Sequence, residues 1–315
     1  MIVTKCPVRI GLVGGSSDLD SYMNHHGRGA VISFPINIYT YATTHTDLIG
    51  YNTYHKKYIV NYSSKEETNT IEEIKNDVVR TAFQEFDVDP CLISMTSDVF
   101  SAGSGLASSS SYMLSILKSI SMVKNLNLSN FELSKIAMEL ERKFNPLLGY
   151  QDTYGCGIGG LKRMDFRLDS APQITYLSNS IFNSFDMYLV YTGISRSSTD
   201  VLKTIEVTKD DSLLSLVDEM QYCIEHEDRD KFIDLVSLGW EVKKKTSNEI
   251  TSNEKIKELD DMFRNDDSIL CHKLCGAGNG GFFLLFTEPN TKSLNRNLFC
   301  RKIEINQKGV EGYRL

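Results

Sequence analysis

None of the seven cysteines (Cys6, Cys91, Cys156, Cys223, Cys271, Cys275 and Cys300) is paired in a C-x-x-C motif, and no spacing among them matches a zinc pattern. A scattered, odd set reads as reduced thiols with packing roles. The chain has no run of about 18 apolar residues and no signal-peptide-like start, so a membrane span is not expected and a cytoplasmic location is. Positive charge is not in excess. Lys and Arg number 34 against 41 Asp and Glu, a net charge of −7, which argues against nucleic acid or an anionic membrane as partner. There is no Walker A lysine pattern, no H-R-D and no D-F-G, so a bound nucleotide would need another fold. The 315 residues are enough for about two domains.

Two glycine patterns satisfy the letters of a dinucleotide fingerprint, Gly155-x-Gly157-x-x-Gly160 and Gly276-x-Gly278-x-x-Gly281. A dinucleotide fold needs a strand before such a loop and a helix after it. Here Gly160 and Gly281 both run into strand-like segments. Both patterns fail on context.

Strands are expected over Ile2–Cys6, Arg9–Val13, Ile32–Ile36, Tyr39–His45, Lys57–Tyr62 and Leu92–Ser97. Ile71, Ile74, Val78, Ala82 and Phe86 recur at helical spacing. A helix is expected from Ser110 to about Asn125, and another over Ser129–Phe144, opened by the capping box Ser129-x-x-Glu132. Asn145–Gly160 reads as glycine-rich turns. The second half gives a buried strand at Asp186–Tyr191, helices at Ser212–His226, Arg229–Lys244 and Asn253–Phe263, and a central strand at Gly281–Phe286. This order suggests an α+β fold of antiparallel sheets with segregated helices, in two domains spanning 1–175 and 176–315.

Gly103-Ser104-Gly105-Leu106-Ala107-Ser108-Ser109-Ser110-Ser111 is the most informative stretch. Glycines permit positive φ and close approach of backbone, and the serines open an amphipathic helix. A helix N-terminus offers orphan N–H donors and partial positive charge, a site for phosphate. Composition alone leaves a second reading open, a loop that only caps the helix.

Three further segments accompany it: Pro7–Asp18, a strand ending in a glycine turn; Glu141 with Gly149-Tyr150-Gln151-Asp152; and Lys273–Gly281, with its glycine run. Together the four resemble the GHMP kinases, the superfamily of galactokinase, homoserine kinase and mevalonate kinase. Within it, Arg9–Asp18, Ile36–Ala42, Gly149–Asp152 and Tyr191–Ser198 are most similar to the D-glycero-D-manno-heptose 7-phosphate kinases. Galactokinases carry Glu-His where this chain has Gly15-Ser16. Ala107 and Asn279 replace glycines usual in the superfamily, and Ser101-Ala102 stands where proline is common.

The resemblance implies a two-domain GHMP kinase fold, with a ribosomal-S5-like N-terminal domain and a ferredoxin-like C-terminal domain. It implies ATP-dependent phosphorylation of the anomeric hydroxyl of heptose 7-phosphate to the 1,7-bisphosphate, with Mg²⁺, in nucleotide-heptose biosynthesis. Phosphoryl transfer needs positioning and charge neutralisation more than covalent catalysis. Gly103, Ser104, Gly105, Leu106, Ala107, Ser108, Ser109 and Ser110 would wrap the ATP phosphates. Ser109, or Ser108 in its place, and Glu141 would hold Mg²⁺, which takes oxygen ligands. Asp152 would accept the sugar proton, with Arg9 beside it. Gly14, Gly15, Ser16, Asp18, Gly276, Ala277 and Gly278 would meet the sugar, and Arg196, with Ser197 and Ser198, a substrate phosphate; Lys162 and Arg163 are a second candidate for that phosphate. A kinase of the same fold acting on galactose, fucose or a non-sugar alcohol, and a non-catalytic sugar sensor, are the rival readings. A homodimer is left open.

Overall fold

The computed structural model describes residues 1–46, 57–99, 103–195, 212–291 and 298–315. Two sheets organise it. The larger contains β1 (Ile2–Val13), β2 (Gly29–His45), β3 (Tyr58–Asn61), β4 (Lys65–Thr68), β5 (Leu92–Ser97), β6 (Lys162–Phe166), β7 (Gln173–Tyr176) and β12 (Glu311–Arg314). Its order is β12-β1-β2-β5-β3-β4, with β6 on β2 and β7 on β6. The smaller sheet comprises β8 (Asp186–Tyr191), β9 (Ile269–Leu274), β10 (Phe282–Thr287) and β11 (Cys300–Ile303), in the order β11-β8-β10-β9. Pairing is antiparallel except for β3 with β5, which run parallel.

The two expected strands at the N-terminus are one. Strand β12 covers β1 only from Ile2 to Lys5, so Pro7 falls where β1 is paired on one side alone and its missing N–H breaks no ladder bond. Strands at Leu92–Ser97 and Asp186–Tyr191 fall where the alternation places them.

Helices α1 (Asp20–His26), α2 (Asp77–Phe86), α3 (Ser108–Val123), α4 (Asn130–Arg142) and α5 (Tyr150–Gly157) accompany the larger sheet. Helix α3 does not meet the sheet with apolar side chains alone. Ser111, Ser115 and Ser119 recur every four residues and are buried against β1 and β2. Ser111 Oγ donates to Cys6 O at 2.8 Å, Thr4 Oγ1 donates to Ser115 O at 2.7 Å, and Ser119 Oγ donates to Thr44 Oγ1 at 2.7 Å. Small hydroxyls let the helix lie close to the strands while leaving few polar groups unpaired. Met113, Leu117 and Ile120 fill the core beyond it.

Two local expectations need correction. Ile71 and Ile74 are buried, yet the helix starts only at Asp77. The Glu66 carboxylate accepts the N–H groups of Lys75 (2.5 Å) and Asn76 (3.1 Å), holding that segment as a turn, and Asn76 then caps α2. The Asn145–Gly160 stretch contains helix α5, despite its glycines.

Helices α6 (Ser212–Glu225), α7 (Arg229–Lys245) and α8 (Glu254–Arg264) complete the second half. One hydrophobic core joins the sheets. Val8, Ile10, Leu12 and Phe34 from the larger pack in it with Leu189, Phe282, Leu284 and Phe286 from the smaller, and with Leu213, Val217 and Phe232 from α6 and α7. Among the described residues no helix is long and apolar enough to cross a membrane. All seven cysteines are free thiols.

Candidate active site

A cleft of about 700 Å³ opens where the two sheets meet. It is walled by the end of β1 with its glycine turn, the loop into α3, the end of α4, the start of α5, and the loop after β9. The sequence separates these segments by up to about 260 residues; the shared core brings them to one place.

Arg9 is the hub. It projects from β1, is 5% exposed, and donates from Nη2 (2.6 Å) and Nε (3.1 Å) to a single oxygen, Oδ1 of Asp152. Its Nη1 donates to Gly105 O at 3.0 Å, and its backbone N–H to Leu106 O at 3.0 Å. Burial works against its charge and Asp152 more than offsets this, so its pKa is raised. One side chain thus ties the serine loop to Asp152.

Asp152 sits in the first turn of α5, a short helix with poor intrinsic propensity. What starts it is distant in sequence. Asp18, fully buried, accepts from Gln151 N at 3.0 Å and from Gln151 Nε2 at 2.9 Å. This carboxylate acts as a helix cap supplied from the β1 turn. Gly149 permits it, since a Cβ there would lie 2.1 Å from Asp18 Oδ2. Burial, then the charge of Asp152, push the Asp18 carboxyl up to about 6.

Glu141 ends α4 with its side chain fully buried. Ser110 Oγ donates to its Oε2 at 2.6 Å, whereas Oε1 is buried without a hydrogen-bond partner. Burial drives its carboxyl up to about 7. Asn145, one turn on, also lines the cleft with a buried, unpartnered Oδ1. Two orphaned oxygen acceptors beside Ser109 and Ser110 suit a hard cation. Among the described residues no group of three or more His, Cys, Asp or Glu could hold a metal, so such a cation would need further oxygens from a ligand.

The serine loop leads into α3, which starts at Ser108, two residues before the expected Ser110. Ala107 is the N-cap of α3 in the left-handed conformation (φ 62°, ψ 41°), and Asn279 is left-handed too (φ 57°). These are the two positions where the chain departs from glycine. A left-handed alanine costs roughly 1–2 kcal/mol, and glycine loses roughly 0.5–1 kcal/mol more on folding. Ala107→Gly should therefore raise the midpoint of thermal unfolding by about 1–3 °C in calorimetry. A lowered midpoint would show that packing of the Ala107 methyl outweighs its backbone strain.

Backbone contact joins this loop to the one after β9. A Cβ on Gly276 would lie 2.4 Å from Gly105 Cα, and one on Gly281 would lie 2.3 Å from Ser104 O. Only glycine allows such an approach.

The cleft brings together Arg9, Gly14, Gly15, Ser16, Asp18, Gly103, Ser104, Gly105, Ala107, Ser108, Ser109, Ser110, Glu141, Asp152, Gly276 and Ala277. Leu106 and Gly278 do not line it. The first turns into the core, and the second packs on Ile250 behind the loop. Arg196, Ser197 and Ser198, like Ser101-Ala102, lie outside the described residues, although Ser195 lines the cleft. Lys162 and Arg163 are directed elsewhere. Lys162 Nζ is buried and donates to Ile158 O at 2.6 Å, and Arg163 is engaged by Asp165 and Asp218. The sequence reading passed over Gln151, Asn145, Lys243 and Lys273. Gln151 and Lys273 fall within the motifs marked by Gly149 and Gly276, two and three residues from those glycines.

The chain is similar in sequence and fold to known proteins. Residues 69–160 match the model of the GHMP kinases N terminal domain. A D-glycero-alpha-D-manno-heptose 7-phosphate kinase of Campylobacter jejuni is 27% identical over 352 aligned positions, spanning 100% of this chain and 99% of the relative. The crystal structure of a D-glycero-D-manno-heptose 1-phosphate kinase from Bacteroides thetaiotaomicron superposes with a TM-score of 0.76 at 22% identity, over 100% of this chain and 99% of that one. Lactococcus lactis galactokinase, complexed with galactose, superposes at 0.73 with 16% identity, over 100% and 95%.

Proposed function

We propose, for a chain that carries the GHMP kinase N-terminal domain and fold, the ATP-dependent phosphorylation of the anomeric hydroxyl of a heptose 7-phosphate, in the cytoplasm. The full-length similarity to the Campylobacter heptose 7-phosphate kinase supports the choice of sugar. The reaction rests on one observation above others. Arg9 holds Asp152 and the Gly103–Ser110 loop in one hydrogen-bonded unit facing the cleft. In this reading residues 1–175 form the lobe with the phosphate loop and base, and 176–315 the second lobe, except that the last strand, β12, returns to pair with β1 in the first.

The serine loop and the start of α3 would receive the ATP phosphates through backbone N–H groups. Both Arg9 donors to Asp152 use Oδ1, so Oδ2 is left to accept the proton of the attacking hydroxyl. Arg9 adds permanent positive charge where charge develops on the transferring group. Glu141, with Ser109, Ser110 and Asn145 beside it, would hold Mg²⁺. A cation held there would supply charge neutralisation for the nucleotide phosphates. A sensor reading has no need of an ionised base held by a buried arginine.

Acceptor choice is tested by ADP formation across heptose 7-phosphate, mannose 6-phosphate, galactose and fucose, with phosphorus NMR of the product. Heptose 7-phosphate should exceed the unphosphorylated sugars in kcat/KM by roughly 10–150-fold, the worth of a charge-assisted contact to its remote phosphate. Equal efficiency on galactose would overturn the assignment.

A further inference from the structure

Lys273 has no part in the mechanism above, yet its position is unusual for a lysine. It lies on β9 in the smaller sheet, is 8% exposed, and its ammonium crosses to β1 of the larger sheet. There it donates to Gly11 O at 2.7 Å and to Leu12 O at 2.5 Å. These carbonyls lie two and three residues after Arg9 on the same strand. An ammonium carries three N–H donors, so one is left for the cleft that Lys273 lines.

The strand that presents it is fixed from the opposite face. His272, the preceding residue, meets Asp260 Oδ1 at 2.8 Å, and Asp260 also accepts from Trp240 Nε1 (2.6 Å), Lys244 Nζ (2.9 Å) and Arg264 Nη2 (3.1 Å). A buried carboxylate with four donors anchors β9. Lys273 is therefore a cation held on a rigid strand, reaching across the cleft rather than lying on a surface.

We propose that Lys273 is a positioning residue for phosphoryl transfer: its protonated ammonium clamps the Gly11–Leu12 segment of β1, and so Arg9, against the smaller sheet. The clamp rests on the kinase reading given above. It acts through Arg9, because a shift of β1 would move the guanidinium away from both Asp152 and the Gly105 carbonyl. Its charge adds to that of Arg9 at the side of the cleft where phosphate must arrive. The clamp depends on a proton. Burial, reinforced by the positive charge of Arg9, lowers the Lys273 pKa to about 8. The charged or titratable groups facing it are Arg9 on β1, Cys275 at the end of its own strand and Lys243 on α7, which donates to Gly276 O. As pH rises through about 8 the ammonium loses its proton, the neutral amine donates less strongly to the two carbonyls, and kcat/KM falls.

Steady-state kinetics from pH 6 to 9.5 on the acceptor found by the sugar panel test this, using wild type, Lys273→Met and Lys273→Arg. Lys273→Met should lower kcat at pH 7 by roughly 10–100-fold, with KM for ATP changed less than about threefold, and should abolish the alkaline limb. Lys273→Arg keeps the charge; it should retain more activity than Lys273→Met and move the alkaline limb upward. Should Lys273→Met fail to fold, the pH profile of Lys273→Arg decides alone: coincidence with wild type overturns the proposal. A folded Lys273→Met with wild-type kcat and pH profile also overturns it, leaving a structural tie. A wild type that turns over no acceptor rejects the kinase reading and the proposal with it, an outcome distinct from an active wild type with unaffected variants.

Discussion

Asp152→Asn should fold and bind nucleotide while losing roughly 10²–10⁴ in kcat, the range for removal of a positioned proton acceptor. Asparagine is nearly isosteric, and its carbonyl oxygen can still accept from Arg9, whose two bonds converge on Oδ1. The hydrogen bond of the guanidinium to Gly105 O is untouched, so the serine loop should keep its place. What is lost, in the proposed mechanism, is the negative oxygen that would take the hydroxyl proton. Titration with a non-hydrolysable ATP analogue should give near-wild-type affinity while turnover collapses. Near-normal turnover in the purified variant would remove Asp152 from the mechanism.

Glu141→Gln should separate stability from activity in opposite directions. The carboxyl is buried, one of its oxygens has no partner, and its pKa is raised to about 7 from an ordinary value near 4.5. A carboxyl raised on folding binds more protons in the native than in the unfolded protein. The stability this contributes is present in full below about 4.5 and is lost as pH rises through about 7. At pH 8 the ligand-free native protein therefore carries an uncompensated buried charge. The glutamine removes it, and should stabilise the ligand-free protein at pH 8 by about 1–3 kcal/mol, with the gain vanishing toward pH 5. The same change should raise the Mg²⁺ concentration needed for half-maximal activity, because an amide is a weaker ligand for a hard cation than a carboxylate. Denaturant unfolding at both pH values and a metal titration measure the two effects. An unchanged metal requirement would make Glu141 a buried helix-end charge and nothing more.

Strand and helix identities that rest on local pattern were legible in the sequence. Leu92–Ser97 and Asp186–Tyr191 alternate or run apolar between breakers, and the Ser129–Glu132 capping box marks α4 to the residue. Elements that depend on a distant partner were not. The spacing of Ile71 and Ile74 reflects burial beneath a turn that Glu66 holds, not a helix. Helix α5 has too many glycines to be read from propensity and is started by Asp18, 133 residues away in sequence. Asp18 itself stood out as a polar group delivered by a glycine turn, a pattern that fits a sugar ligand. In the structure both its oxygens are engaged by Gln151. Lys273 opens the Lys273–Gly281 glycine motif, but its reach to β1 is not legible there, since a buried lysine differs from an exposed one only through what it crosses to reach.

The contact between the two glycine loops changes what a substitution there would report. Gly105 lies in the loop into α3 and Gly276 in the loop after β9, yet neither has room for a side chain: a Cβ on Gly276 would lie 2.4 Å from Gly105 Cα, and one on Gly105 would lie 2.6 Å from Cys275 O. The Gly103–Ser110 loop is thus moulded on one flank by a segment that follows it by about 170 residues. If the Gly103–Ser110 loop receives ATP as proposed, nucleotide affinity is a joint property of both loops, and a methyl group added at Gly276 should weaken it by displacing the Gly105 backbone.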